Sequence, residues 1–169
     1  DASCPYFWPI GNRYIFLFFS HTTGSQYLLG DYNKEEHCFY PTFHGRFNFM
    51  SFLPGGVHAP SATSDGKGGV IVIHNMHTGK KSPGWRGITT LPRKLTLDKC
   101  DTINIQPYGD YKSLRTHHQH IDKTHLPANK EIIIDNIQGN ALEIKAEINI
   151  KSSPMIEMNV LRLSLIHIS

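Results

Sequence analysis

The chain is poor in charge, poor in cysteine and free of long apolar runs, and each shortage removes a class of function. Asp, Glu, Lys and Arg make up 18% of its 169 residues, and the formal net charge is +3 with eleven histidines counted as neutral. Lys and Arg are scattered rather than clustered, so no nucleic-acid partner is expected. No span approaches the length of a membrane helix and no signal-peptide pattern stands at the start, so no membrane partner is expected either. The three cysteines, Cys4, Cys38 and Cys100, lack the short paired spacing of a zinc site, and their odd number leaves at least one thiol free. They leave the compartment open, with an extracytoplasmic one favoured. Helical periodicity over three turns is also missing from the first hundred residues.

What remains is the vocabulary of an all-β protein. Aromatics make up 11%, and 14 Gly and 10 Pro punctuate short apolar segments at intervals of about ten residues. The chain is organised around residues 55–76, two strands joined by the turn-formers Asp65-Gly66 and Gly68-Gly69. Val70 to Ile73 is a continuous β-branched run, which predicts a strand covered on both faces. Its partner carries His58, Ser61 and Thr63 and is broken by Pro60, as suits a strand facing a solvated cavity. Further strands are predicted at 13–20 and 25–32, at 36–42 and 46–50 separated by Pro41 and Gly45, at 85–91 and 93–97 around Pro92, and at 102–106. A polar stretch from Pro107 to Asn129 reads as a linker with a short helix near Tyr111 to Arg115. Beyond it, 131–137 and 141–150 alternate; Leu142, Ile144, Ala146, Ile148 and Ile150 share one face, and 155–161 looks like the next strand.

Several residues stand out for their chemistry. His58 lies in the polar strand, where a sugar contact and a histidine bonded to neighbouring backbone are both open readings. His117, His118, His120 and His125 hold no consistent face of a strand or helix and have no clustered carboxylate or cysteine, so they read as solvated linker; no metal or cofactor is expected. Tyr14, Phe16 and Phe18 read as core, while Trp85, beside a glycine turn, is a candidate sugar-stacking platform. Asp31 is a candidate carboxylate or a strand-end residue.

Five stretches, in order, resemble glycoside hydrolase family 32, the invertases, levanases and fructan hydrolases. They are Ser3-Cys4-Pro5 with Phe7; Leu29-Gly30-Asp31-Tyr32; Val57-His58-Ala59-Pro60; Gly84-Trp85 leading to Leu91-Pro92-Arg93-Lys94-Leu95; and Ser113-Leu114-Arg115 with Leu142-Glu143-Ile144-Lys145-Ala146-Glu147. The resemblance implies the later blades of a five-bladed β-propeller followed by the start of a β-sandwich. Residues 1–108 would be the C-terminal part of the catalytic propeller, 109–129 the linker and 130–162 the start of the sandwich. Residues 163–169 (LSLIHIS) look like a translated sequencing adapter, a non-native tail. A chain that opens on Asp1 rather than Met would then be a fragment truncated at both ends.

The chemistry implied is retaining hydrolysis of β-fructofuranosyl bonds, in sucrose or fructan, by a nucleophilic carboxylate and an acid/base carboxylate. The nucleophile and a stabilising carboxylate would lie upstream of Asp1. The acid/base is normally a Glu before the Cys-Pro pair, where this chain has Ser3, a hydroxyl far too weak to act as the acid. Asp1, two residues earlier, is the nearest candidate catalytic carboxylate. Cys4, His58, Asn75 and Trp85 are the candidate substrate-binding residues; His58 stands where the family carries an aromatic residue and Asn75 near a family tryptophan. The expected partner is an oligo- or polysaccharide fructoside. Ser3 also motivates a different class, a non-catalytic sugar-binding or pseudo-enzyme module, and His58 with Asn75 a related glycosidase of altered specificity.

Overall fold

The computed structural model describes residues 2–47, 56–76, 84, 87–139, 141–150 and 155–160. It divides into two compact units, residues 1–111 and 112–169.

The first unit holds two antiparallel sheets. In one, β1 (Ser3–Ile10), β2 (Arg13–Ser20), β3 (Gly24–Asn33) and β4 (Cys38–Arg46) follow one another as a meander. Strand β2 sets its two faces by alternation: Ile15, Leu17 and Phe19 are buried, while Tyr14, Phe16 and Phe18 are half-buried on the reverse. The reverse face is an aromatic cluster, with the Phe7 ring 5.3 Å from Tyr14 and edge-on to Phe39 at 5.1 Å.

Two strands depart from the sequence expectation, both because edges tolerate proline. β1 was not expected, since Pro5 and Pro9 interrupt it; as an edge strand it needs donors on one side only. The two segments expected at 36–42 and 46–50 are instead one strand, β4, running through Pro41 and Gly45 at the opposite edge, with 48–50 outside the described residues. A bulge absorbs the misfit: Leu29 pairs with Phe43 and Gly30 with Pro41, so Thr42 is the extra residue. Gly30 is required there, because a Cβ would strike the Tyr40 carbonyl oxygen and the Phe39 ring.

The second sheet is β5 (Val57–Ser64), β6 (Val70–Met76), β8 (Arg93–Leu97) and β9 (Ile103–Pro107) in that order. β7 (Ile88–Thr89) pairs with the far end of β6. Val70 and Val72 are fully buried but Ile71 and Ile73 only half so, which corrects the expectation of equal cover on both faces. Between β7 and β8, Thr90 replaces ladder pairing: its amide donates to the His74 carbonyl (2.8 Å) and its hydroxyl accepts from the His74 amide (3.0 Å).

One device closes both long hairpin loops of this sheet. Asp65 Oδ1 accepts from the amides of Lys67 (2.7 Å) and Gly69 (2.8 Å), and Asp98 Oδ1 does the same for Cys100 (2.8 Å) and Thr102 (2.9 Å). The enclosed Asp65 carboxylate also pairs with Lys94 at 2.6 Å. The Lys94 ammonium, followed by the two amides, holds its pKa at about 2.

The sheets pack face to face. Ile10, Ile15, Leu17 and Leu29 meet Val70, Val72 and Leu95 in one fully buried cluster. Each such side chain contributes about 1.5–3 kcal/mol by leaving water. Three polar links cross the seam: Trp8 Nε1–H donates to the Ala62 carbonyl (3.2 Å), the Gly11 amide to the Gly68 carbonyl (2.8 Å), and the Arg13 guanidinium pairs with Asp101.

In the second unit, the 3-10 turn Tyr111–Leu114 begins just before its boundary, where a short helix was expected. Arg115 grips Glu143 bidentately, Nε to Oε2 at 2.6 Å and a terminal nitrogen to Oε1 at 2.5 Å, joining two of the motifs noted above. The described residues of 131–137, 141–150 and 155–160 form no strand, and Leu142, Ile144, Ile148 and Ile150 are exposed. Their alternation is real, but a strand exists only with a hydrogen-bonded neighbour. Residues 163–169 lie outside the described residues.

Two predictions follow from these contacts. Gly30→Ala should cost about 1–3 kcal/mol in denaturant unfolding, because the new methyl meets backbone rather than a movable side chain. The Asp65 pKa is lowered in the folded state, so its stabilisation is present above pH 3.8 and lost as pH falls towards 2. In thermal melts across that window, wild type should lose midpoint steadily, and Asp65→Asn should start lower and lose less.

Candidate functional site

β1 and β5 are each the first strand and an edge strand of their sheets, and they pack against each other. Both are deformed at the same place. The β1 register shifts between Ser3 and Tyr6, and the β5 register between His58 and Pro60. Within each bulge a non-glycine residue takes a left-handed conformation: Cys4 at φ 51° and Ala59 at φ 45°. Each stands immediately before a proline, and the pre-proline residue is sterically restricted. Ser3-Cys4-Pro5 and His58-Ala59-Pro60 are thus one local structure used twice: a polar residue, a left-handed small residue and a proline. Strain of this kind costs about 1–3 kcal/mol per residue and clusters at functional sites.

The bulges bring their polar residues together around one ring. Ser3 is the register partner of Phe19, and the Phe19 ring lies 5.1 Å from the His58 ring and 4.9 Å from His21. His58 in turn pairs with Asn75, which is exposed. Cys4 is exposed beside Ser3, and the side chains of Ser61 and Thr63 are exposed further along β5. Ser3, Cys4, His58 and Asn75 therefore occupy the same end of the two sheets, with Asn75 on the outer face of β6. Asp1 and Trp85 lie outside the described residues.

Asp31 does not join them. It sits near the far end of β3, ion-paired with Arg13 at 2.9 Å, six residues along β2 from Phe19 or about 20 Å away. The carboxylates of Glu35, Glu36, Asp65, Asp98 and Asp101 occupy turns at that same far end. Among the described residues of the first unit, Asp110 is the carboxylate that follows a strand, β9, at the Ser3 and His58 end.

Two histidines at this end escaped the sequence reading. His21 follows the aromatic run of β2, a position that reads as a turn. His74 had a legible signal: it continues the parity of Val70 and Val72 and so belongs to the buried face. It is 1% exposed, with the Phe47 ring 5.0 Å away, and neither ring nitrogen has a hydrogen-bond partner among the described residues. Burial, followed by the nearby charges of Arg93 and His58, pushes its pKa down to about 4. A hydroxyl, a thiol and an imidazole stand near this end, groups able to hydrogen-bond hydroxylated ligands, while the Asn75 carboxamide lies by parity on the outer face of β6, opposite to His74. None of these four is a carboxylic acid.

No family model matches the chain, and no curated protein does. Among solved structures, it is similar to a Bombyx mori GH32 β-fructofuranosidase solved in complex with sucrose, with a TM-score of 0.53 and 23% identity over 70% of this chain. It is also similar to a glycoside hydrolase family 32 structure from Bifidobacterium adolescentis, with a TM-score of 0.51 and 14% identity over 66% of this chain. The chain spans 28% and 19% of those proteins. It is all-β and shares its fold with part of the glycoside hydrolase family 32 enzymes, whose architecture joins a β-propeller to a β-sandwich.

Proposed function

We propose that the chain forms part of the sugar-binding funnel of a glycoside hydrolase acting on β-fructofuranosyl bonds, as in sucrose or fructan. The observation that carries this is the pair of strained bulges beside one residue, with Ser3 opposite Phe19 in the ladder and the His58 ring 5.1 Å from the Phe19 ring, in a fold shared with family 32 enzymes. In this reading Cys4, His58, Asn75 and Trp85 contact the sugar. The first strands of the two sheets, β1 and β5, hold the fructosyl ring, and carboxylates outside the described residues perform the displacement. Asp1 would take the acid/base role that Ser3 cannot, because only a carboxylic acid tuned by burial has a suitable pKa.

Ser3 favours one competing reading, a sugar-binding module without catalysis. Coding sequence upstream of Asp1 separates the two: an enzyme carries the Asn-Asp-Pro and Arg-Asp-Pro stretches that supply the family's nucleophile and stabiliser, and a binding module has lost them. The chain alone should release no fructose from sucrose.

The His58 assignment has its own test. In the longest polypeptide encoded around this chain, His58→Ala should weaken sugar binding by about 0.5–1.5 kcal/mol, the net worth of one hydrogen bond, with little change in melting temperature. A lowered melting temperature with unchanged affinity would make His58 a packing residue against Phe19, and the pocket assignment would fall.

A further inference from the structure

His74 occupies a position that a charge cannot share. Its side chain points into the seam between the sheets, on the buried face of β6 with Val70 and Val72. Both ring nitrogens lack a partner among the described residues, so a proton added there would find no acceptor among them. The surroundings are apolar or cationic. Phe47 covers one side; Arg93, the register partner of Val72, presents its charge diagonally from β8; His58 approaches from β5. Among the described residues, Arg93 and His58 are the titratable groups that act on His74, and neither is a carboxylate. His74 is also the anchor of the break between β7 and β8, since its backbone exchanges two hydrogen bonds with Thr90.

We propose that His74 is an acid-sensitive latch, which closes the end of the seam carrying Ser3 and His58 while its imidazole is neutral and releases that end when it is protonated. The proposal rests on the packing of the seam and is independent of which sugar, if any, the site accepts.

The direction follows from linkage. The folded-state pKa, about 4, lies below the ordinary 6.5, so the unfolded or opened form binds the proton more readily between those values. The latch is therefore fully closed above pH 6.5 and weakens as pH falls to about 4, by at most tenfold in the opening equilibrium per pH unit. This window lies above the one in which Asp65 acts, so the two legs are separable.

Amide hydrogen exchange on the full chain, corrected for intrinsic rates, reads the latch directly. Protection of the Thr90 and His74 amides should fall by up to tenfold per pH unit from pH 6.5 to 4, while Leu17 and Tyr27 in the β2–β3 ladder keep theirs. In His74→Phe, a ring of similar size that takes no proton, the two amides should show no pH dependence over that range. A flat profile in wild type, a slope retained in His74→Phe, or parallel loss at Leu17 and Tyr27 would each overturn the proposal. Should the variant fail to fold, the wild-type imidazole signals decide alone: titration of the His74 ring near 6.5 would overturn the latch, and titration near 4 would support it.

Discussion

Everything in the first unit depends on two sheets having one apolar face each and burying those faces together. Ile15, Leu17 and Leu29 belong to one sheet and Val70, Val72 and Leu95 to the other, and none of the six leaves a side chain in water to any useful extent. Each sheet covers the apolar face of the other, so pairing stabilises both. The polar links across the seam sit at its margins, Trp8 to Ala62 and Gly11 to Gly68, where they fix how one sheet slides on the other. Dispersion and desolvation supply the energy; the hydrogen bonds select a single alignment.

That alignment gives the unit a chemical polarity. Acidic side chains gather at the hairpin turns, where Asp65 and Asp98 satisfy loop amides and Asp31 and Asp101 flank Arg13. His21, His58 and His74 gather with Arg93 at the other end, together with the two strained bulges. The turn end is built of satisfied charges and is where the fold is held. The opposite end holds the buried His74, whose pKa lies below the ordinary value, with a left-handed cysteine and a left-handed alanine, the kind of backbone strain that clusters at functional sites.

Much of this was legible in the residues. The Asp65-Gly66 and Gly68-Gly69 turn marked the central hairpin, and the aromatic and β-branched runs marked β2, β3 and β6, because local period and turn chemistry agree there. β1 was hidden by Pro5 and Pro9, and β4 was split in two at Pro41 and Gly45, since whether a proline ends a strand depends on whether that strand is an edge, and the edge is a property of the whole sheet. The 131–150 segments erred the other way: the alternation of Leu142 to Ile150 states what the segment could bury, not that a partner strand lies beside it. The site was half legible. His58 stood out by its polar strand, but its equivalence with Ser3 emerges only when Ser3-Cys4-Pro5 is laid on His58-Ala59-Pro60, fifty-five positions apart. His74 was obscured because histidine weighs little in an apolar pattern.

The prolines of the two first strands have another consequence. An open strand edge is a template on which any extended chain can add itself, through a row of free amides. Pro5 and Pro9 in β1 and Pro60 in β5 delete donors from that row, and the bulges at Cys4 and Ala59 break the spacing of the donors that remain. A peptide approaching either edge meets gaps where a ladder would have to start. The two first strands can therefore stand at the edges of their sheets without zipping to a neighbouring molecule.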